Sequence, residues 1–279
     1  MSTYLDDLLA GARRRVDAAR AREPLEALRE RALGAPAATS FERALREPGV
    51  SVIAEVKRAS PSRGDIAPDL DAATQARAYM TGGAAAVSVL TEPDRFKGSL
   101  ADLADVAALQ IPALRKDFVV DPYQVWEARA AGAAAVLLIV AALDESDLVA
   151  LHDEALAAGL DVLVEVHDAD EVATAVRAGA RVVGVNSRDL RTFELDPRAF
   201  ARLRALIPAS ALAVAESGVG GPDDVVRAAD EGADAVLVGE SLVRASDPAA
   251  AVAALRAAGR SRVGAEPNPS HEPAPSEAT

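Results

Sequence analysis

Cysteine is absent from the 279 residues, which excludes disulfides, thiolate metal sites and a thiol nucleophile and fits a reducing compartment. Aromatic residues make up only 3% of the chain, so a core must be built from Ala, Val, Leu and Ile rather than stacked rings. No stretch has the ~18 uninterrupted apolar residues of a membrane span. The start, Met1-Ser2-Thr3-Tyr4-Leu5-Asp6-Asp7, is acidic where a secretory signal is basic, and no apolar run follows it. A soluble cytoplasmic protein is the expectation. A formal charge of −13 argues against a nucleic-acid partner, because phosphates would be repelled, but leaves room for a local basic pocket holding a small anion. Lysine is scarce as well: Lys57, Lys97 and Lys116 are the whole supply, and every other basic residue is arginine. Arg keeps its proton permanently, whereas a Lys can be tuned to give one up, so the positions of the surviving lysines matter for acid–base chemistry.

Helical spacing dominates the first ~45 residues, where Leu5, Leu8, Leu9, Ala12, Val16 and Ala19 recur on one face. Thr39-Ser40-Phe41-Glu42 fits a capping box opening a short helix that stops before Pro48-Gly49. From residue 50 onward, short apolar runs alternate with amphipathic segments. The runs are Val50–Val56, Ala84–Leu90, Ala113–Phe118, Ala134–Val140, Asp161–Val166, Arg181–Asn186, Ala211–Ala215 and Asp234–Gly239. They read as parallel strands buried on both faces. Helices are predicted over Asp71–Thr81, Pro122–Ala131, Ser146–Ala158, Ala169–Ala178 and Pro222–Glu231, several closing on a glycine. Eight strand–helix units in ~200 residues match a (β/α)8 TIM barrel. An open doubly wound sheet is the alternative, weakened by the lack of Gly-x-Gly-x-x-Gly after the first strand. The expected organisation is an N-terminal helical extension over 1–48 packing on the barrel, the barrel over 49–260, and a disordered tail over 261–279.

In such a barrel the chemistry gathers at the C-terminal ends of the strands. Several of the runs end in polar residues: Glu55-Val56-Lys57-Arg58, Arg115-Lys116-Asp117, Glu165-Val166-His167, Asn186-Ser187-Arg188-Asp189, Glu216-Ser217-Gly218 and Gly239-Glu240-Ser241. Glu55 and Lys57 are two apart and share a strand face. One charged strand end is ordinary rim; this many together would be costly to bury without a function. Ser217-Gly218 and Gly239-Glu240-Ser241 stand after the last two strands, where barrels of this kind bind phosphate through backbone N–H groups. Ser60-Pro61-Ser62-Arg63-Gly64 is either a lid or an ordinary connector. Lys97 reads as a solvated loop charge, and His152, His167 and His271 share no metal-ligand spacing, so no metal and no cofactor are expected.

Three segments are long enough to carry a resemblance: Ile53-Ala54-Glu55-Val56-Lys57-Arg58-Ala59-Ser60-Pro61-Ser62, Ser88-Val89-Leu90-Thr91-Glu92, and Leu114-Arg115-Lys116-Asp117-Phe118-Val119-Val120-Asp121-Pro122-Tyr123-Gln124. Val164-Glu165-Val166-His167, Gly184-Val185-Asn186-Ser187-Arg188-Asp189-Leu190 and Ala215-Glu216-Ser217-Gly218 follow in order. Together they resemble indole-3-glycerol phosphate synthase, over about residues 1–258. The resemblance implies ring closure, decarboxylation and dehydration of 1-(2-carboxyphenylamino)-1-deoxyribulose 5-phosphate. It implies Lys116 as general acid and Glu165 as general base. Lys57 would contact the substrate carboxylate and is a candidate second acid, with Glu55 orienting it. Asn186, Arg188, Glu216 and Ser62 would position the substrate, and Ser217, Gly218, Gly239 and Glu240 would cradle its phosphate. Many relatives carry Ser or Thr at the position of Glu240, so that side chain has to point away from a bound phosphate. The loop after the second strand carries one aromatic, Phe96, where relatives often have two. Another phosphate-binding barrel enzyme or a catalytically silent ligand-binding barrel stays open as an alternative. The expected partner is a small phosphorylated molecule, with neither nucleic acid nor membrane, and the expected state is a monomer.

Overall fold

Near-continuous apolar runs give each strand two buried faces, and eight such strands close on themselves. The computed structural model describes residues 4–189 and 192–260. Its strands are β1 (Ser51–Val56), β4 (Ala86–Leu90), β5 (Ala113–Lys116), β6 (Ala135–Ile139), β7 (Asp161–Val166), β8 (Val182–Asn186), β9 (Leu212–Glu216) and β10 (Ala235–Val238), with β2 (Ala59–Ser60) and β3 (Gly64–Asp65) outside the barrel. All barrel pairings are parallel, and β10 returns to β1. In β1 the register sets Ile53 beside Leu237 on one side and Ala86 on the other.

The two faces part cleanly. Val52, Ala54 and Val56 pack outward in the layer beneath the helices, with Val87, Val89, Val164 and Val183. Ile53, Leu114, Leu137, Leu163, Val214 and Leu237 fill the barrel interior. Each such Val or Leu contributes about 1.5–3 kcal/mol by leaving water. The same alternation puts the next inward positions toward the C-terminal ends at Glu55, Ser88, Lys116, Glu165, Asn186 and Glu216. The barrel is apolar at its base and charged at its mouth.

Around it lie α4 (Ala72–Gly82), α5 (Leu100–Ala107), α6 (Pro122–Ala130), α7 (Glu145–Ala157), α8 (Ala169–Arg177), α9 (Ala199–Arg204), α10 (Pro222–Asp230), the short α11 (Glu240–Val243) and α12 (Pro248–Arg260). Asp71, Ser99, Asp121 and Asp168 cap α4, α5, α6 and α8 by accepting backbone N–H bonds from the first turn. The expected helices and strands are present, with ends shifted by a residue or two.

Before the barrel come α1 (Tyr4–Arg20), α2 (Leu25–Gly34) and α3 (Phe41–Leu45). On α1, Arg15 reaches Glu92 and Asp117 in loops at the barrel mouth, both at 3.4 Å, and Tyr4 packs edge-on against Phe193. On α2, Arg29 lies over the Trp126 ring of α6, and both donate to Glu154 of α7. At the opposite end of the barrel, Phe41 and Leu45 of α3 join its interior cluster. The capping box predicted on Thr39 and Glu42 needs correction. Ser40 is the cap, accepting from the Arg43 N–H at 3.2 Å while donating to Asp161 at the start of β7. Glu42 is drawn instead into ion pairs with Arg46 and Arg181, because a tertiary carboxylate, Asp161, already accepts its backbone N–H. The predicted disordered tail lies outside the described residues.

Candidate active site

Three carboxylates and two ammonium groups rise from the inward faces of four strands into one cavity of about 440 Å³. β5 delivers Lys116, whose Nζ donates to Glu165 Oε2 of β7 at 3.0 Å and stands 3.9 Å from Glu216 Oε2 of β9. Asn186 of β8 donates from Nδ2 to the other oxygen of Glu165 at 3.1 Å. Its own Oδ1 accepts from Ser217 Oγ at 2.8 Å and from the Arg188 N–H at 3.0 Å, so the amide orientation is determined. Across the mouth, Lys57 donates to Glu55 Oε1 at 2.6 Å, as the shared strand face predicts. Breaking a buried pair of this kind by removing one partner costs about 3–5 kcal/mol.

Burial and charge pull these groups in different directions. Desolvation works against the Lys116 ammonium, but Glu165, Glu216 and Glu55 outweigh it and hold the lysine protonated above its ordinary value. Burial likewise opposes ionised Glu165, yet Lys116, His167 and the Asn186 hydrogen bond bring it well below the usual carboxylate range. Glu216 goes the other way: burial first, then the charge on Glu165, push it well above. Two neighbouring carboxylates therefore shift in opposite directions, Glu165 toward its charged form and Glu216 toward its protonated one. Divergent acidities in adjacent groups suit acid–base work.

The rim beyond Glu216 is built from left-handed turns. Ser217 and Gly218 both have left-handed backbone, at φ 65 and 79°. Gly239 has no room for a side chain: a Cβ there would lie 2.5 Å from Glu55 Oε1 and 3.0 Å from Lys57 Nζ. Glu240, at the start of α11, is engaged by Arg244 at 3.1 Å and Arg63 at 3.5 Å. Ser62 lines the cavity from the turn between β2 and β3, so the segment predicted as lid or connector is a small hairpin. Its Asp65 pairs with Lys97 at 2.6 Å, both side chains about half exposed, so Lys97 is a solvated loop charge with a surface partner. Lys57, Lys116, Glu55, Glu165, Asn186, Arg188, Glu216, Ser217, Gly218, Gly239, Glu240 and Ser62 all line the one cavity.

Some residues escaped the sequence reading. Gly184 lies directly beneath Glu216, whose Oε1 sits 1.9 Å from where a Cβ would be. A glycine inside a strand is the signal that should have drawn notice. Arg63 and Arg244 add positive charge to the rim. His167, set aside as a metal ligand, faces Glu165 across 3.5 Å. Among the described residues no three His, Asp or Glu side chains are arranged to hold a metal ion, and no helix is long and apolar enough to cross a membrane.

Residues 5–255 match the family model of indole-3-glycerol phosphate synthase. Two curated relatives are similar over nearly their full length. The indole-3-glycerol phosphate synthase of Mycobacterium ulcerans is 53% identical, covering 92% of this chain and 95% of its own. Indole-3-glycerol phosphate synthase 1 of Streptomyces coelicolor is 55% identical, covering 92% and 96%. Among solved structures, 3-hexulose-6-phosphate synthase from Salmonella typhimurium aligns with a TM-score of 0.60 at 16% identity, covering 75% of this chain and 98% of its own, a likeness of fold alone. With the closed parallel ring and the full-length match both in hand, the chain belongs to the indole-3-glycerol phosphate synthase family.

Proposed function

We propose that this chain converts 1-(2-carboxyphenylamino)-1-deoxyribulose 5-phosphate to indole-3-glycerol phosphate, releasing CO₂ and water. The carrying observation is the Lys116–Glu165 pair at 3.0 Å, with Glu216 beside it, in a cavity whose far rim has left-handed turns. The ring carbon bearing the carboxylate attacks the ketone carbon, and Lys116 delivers a proton to the ketone oxygen as it becomes a hydroxyl. The carboxylate leaves as CO₂, returning its bonding electrons to the aromatic ring. The hydroxyl then departs as water with a second proton, for which Lys57 is the donor, and Glu165 takes the proton lost as the pyrrole double bond closes. Two protons enter and one leaves, matching the negative charge lost with the carboxylate. Glu55 orients Lys57; Asn186, Arg188, Glu216 and Ser62 position the substrate; Ser217, Gly218, Gly239 and Glu240 hold its phosphate through backbone N–H groups.

The substrate is a small phosphorylated molecule, the protein works as a cytoplasmic monomer, and its charge of −13 disfavours polyanion partners. The deciding experiment mixes the purified protein with the carboxyphenylamino-ribulose phosphate and follows indole fluorescence. Wild type produces signal, and Lys116→Met and Glu165→Gln lower kcat by about 10²–10⁴ while still binding a non-cyclising substrate analogue. Wild-type rates in either variant would overturn that residue's assignment, and absence of product from wild type would overturn the reaction.

A further inference from the structure

Behind Glu165 stands a histidine that the catalytic reading leaves without a task. His167 is the first residue past β7. Its backbone N–H donates to Glu171 Oε2 at 2.7 Å, and its ring Nδ1 lies 3.0 Å from the same oxygen. Glu171 belongs to the first turn of α8, where its own N–H is tied to the cap Asp168 at 2.9 Å, so the carboxylate clamping the ring is itself anchored. Nδ1 therefore carries the hydrogen. The opposite ring nitrogen, Nε2, is buried without a hydrogen-bond partner and faces Glu165 Oε1 at 3.5 Å.

A neutral ring held this way would aim the Nε2 lone pair at a carboxylate oxygen, setting two acceptors against each other where no water can intervene. An imidazolium donates at both ends. The charged groups facing the ring are Glu165 from β7, Glu171 from α8 and Asp189 from the loop after β8, while Lys116 of β5 reaches the other oxygen of Glu165. Burial opposes the charged ring, but the Glu171 hydrogen bond and the three carboxylates outweigh it and lift its titration above the ordinary 6.5. Lys116 and Asn186 alone leave Glu165 pulled from two sides; His167 supplies the third point that stops it from turning.

We propose that His167 is a positioning residue for Glu165: as an imidazolium clamped between Glu171 and Glu165 it fixes the orientation of the base, and turnover falls as rising pH strips its proton. The proposal rests on Glu165 being the general base. Above the titration point Nε2 repels Oε1, which Asn186 alone then holds, and the alignment of the carboxylate for proton abstraction loosens.

Ring-labelled protein followed by NMR, alongside kcat/KM against pH, tests it. The His167 ring should titrate above pH 6.5 in wild type, and that midpoint should drop in Glu165→Gln. An alkaline limb in kcat/KM should fall at the same midpoint. His167→Leu, with no donor, should lose about tenfold in kcat with KM within about twofold and no limb. His167→Gln, whose amide can donate toward Oε1 without titrating, should restore most of that loss and also lack the limb. Wild-type kcat in the leucine variant, a limb persisting in the glutamine variant, or a His167 midpoint indifferent to Glu165→Gln would each overturn the proposal. So would equal losses in both His167 variants at every pH, which would mark a purely structural side chain. Failure of the base assignment looks different: Glu165→Gln would then turn over normally, whatever the ring's titration shows.

Discussion

Gly184 shows how a residue with no side chain can carry part of a catalytic centre. Its neighbours in register, Glu165 on β7 and Val214 on β9, carry full side chains, yet here only hydrogen fits, because Glu216 Oε1 occupies the space a Cβ would need. Glu216 in turn owes its raised pKa to that buried position beside Glu165. Gly184→Ala should push the carboxylate off its seat and lower kcat/KM by about 10- to 100-fold, since displacements near 1 Å at a reacting centre cost about that much. The fold should hold, with a thermal midpoint within a few degrees of wild type. Steady-state kinetics checks it, and a rate within about twofold of wild type would show that Glu216 tolerates the shift.

At the scale of elements, the loops that follow the strands are braced by buried ion pairs. Arg58, just past β1 and next to Lys57, donates to both carboxylate oxygens of Asp102 on α5 at 2.6 and 2.7 Å, and to the Leu70 and Lys97 carbonyls. Asp102 also receives Ser99 Oγ at 2.8 Å. One aspartate thus ties the loop carrying Lys57 to the loop carrying Phe96. Asp102→Ala leaves the guanidinium half of a buried fork unpaired and should cost about 3 kcal/mol, read as a lower denaturant midpoint. The pH dependence has a definite sign. Burial raises the Asp102 pKa, but Arg58 and Ser99 more than reverse it, so the folded value lies below the unfolded 3.8. The stabilisation is fully present above the unfolded value and fades as pH falls through the folded one. The gap between wild type and variant should therefore narrow in acid, and a constant gap down to the lowest pH that still folds would contradict the pairing.

Over the whole molecule, the N-terminal helices join the two ends of the barrel. α1 meets the mouth through Arg15 and Tyr4, α2 runs beside α6, and α3 fills the base with Phe41 and Leu45. The family match ends at 255, and among the described residues the last that lines the cavity is Arg244. Deleting residues 262–279 should leave kcat/KM within about twofold and the thermal midpoint unchanged. A large loss of rate would give that stretch a part in catalysis.

Short apolar runs, glycine-closed helices and polar strand ends were enough to reveal eight parallel units and the mouth where Lys57, Lys116 and Glu165 meet. Those features are local, because side-chain alternation along a strand is a property of consecutive residues. What no run of neighbours contains is distance across the barrel. The seat Gly184 provides for Glu216, the Ser40 cap drawn onto Asp161, the partner Lys97 finds in Asp65, and the His167 ring turned toward Glu165 each join segments apart in the chain or orient a side chain by its surroundings. Alternation decided which residues face inward; closure of the ring decided which of them touch, and so which carboxylate is pushed toward its protonated form.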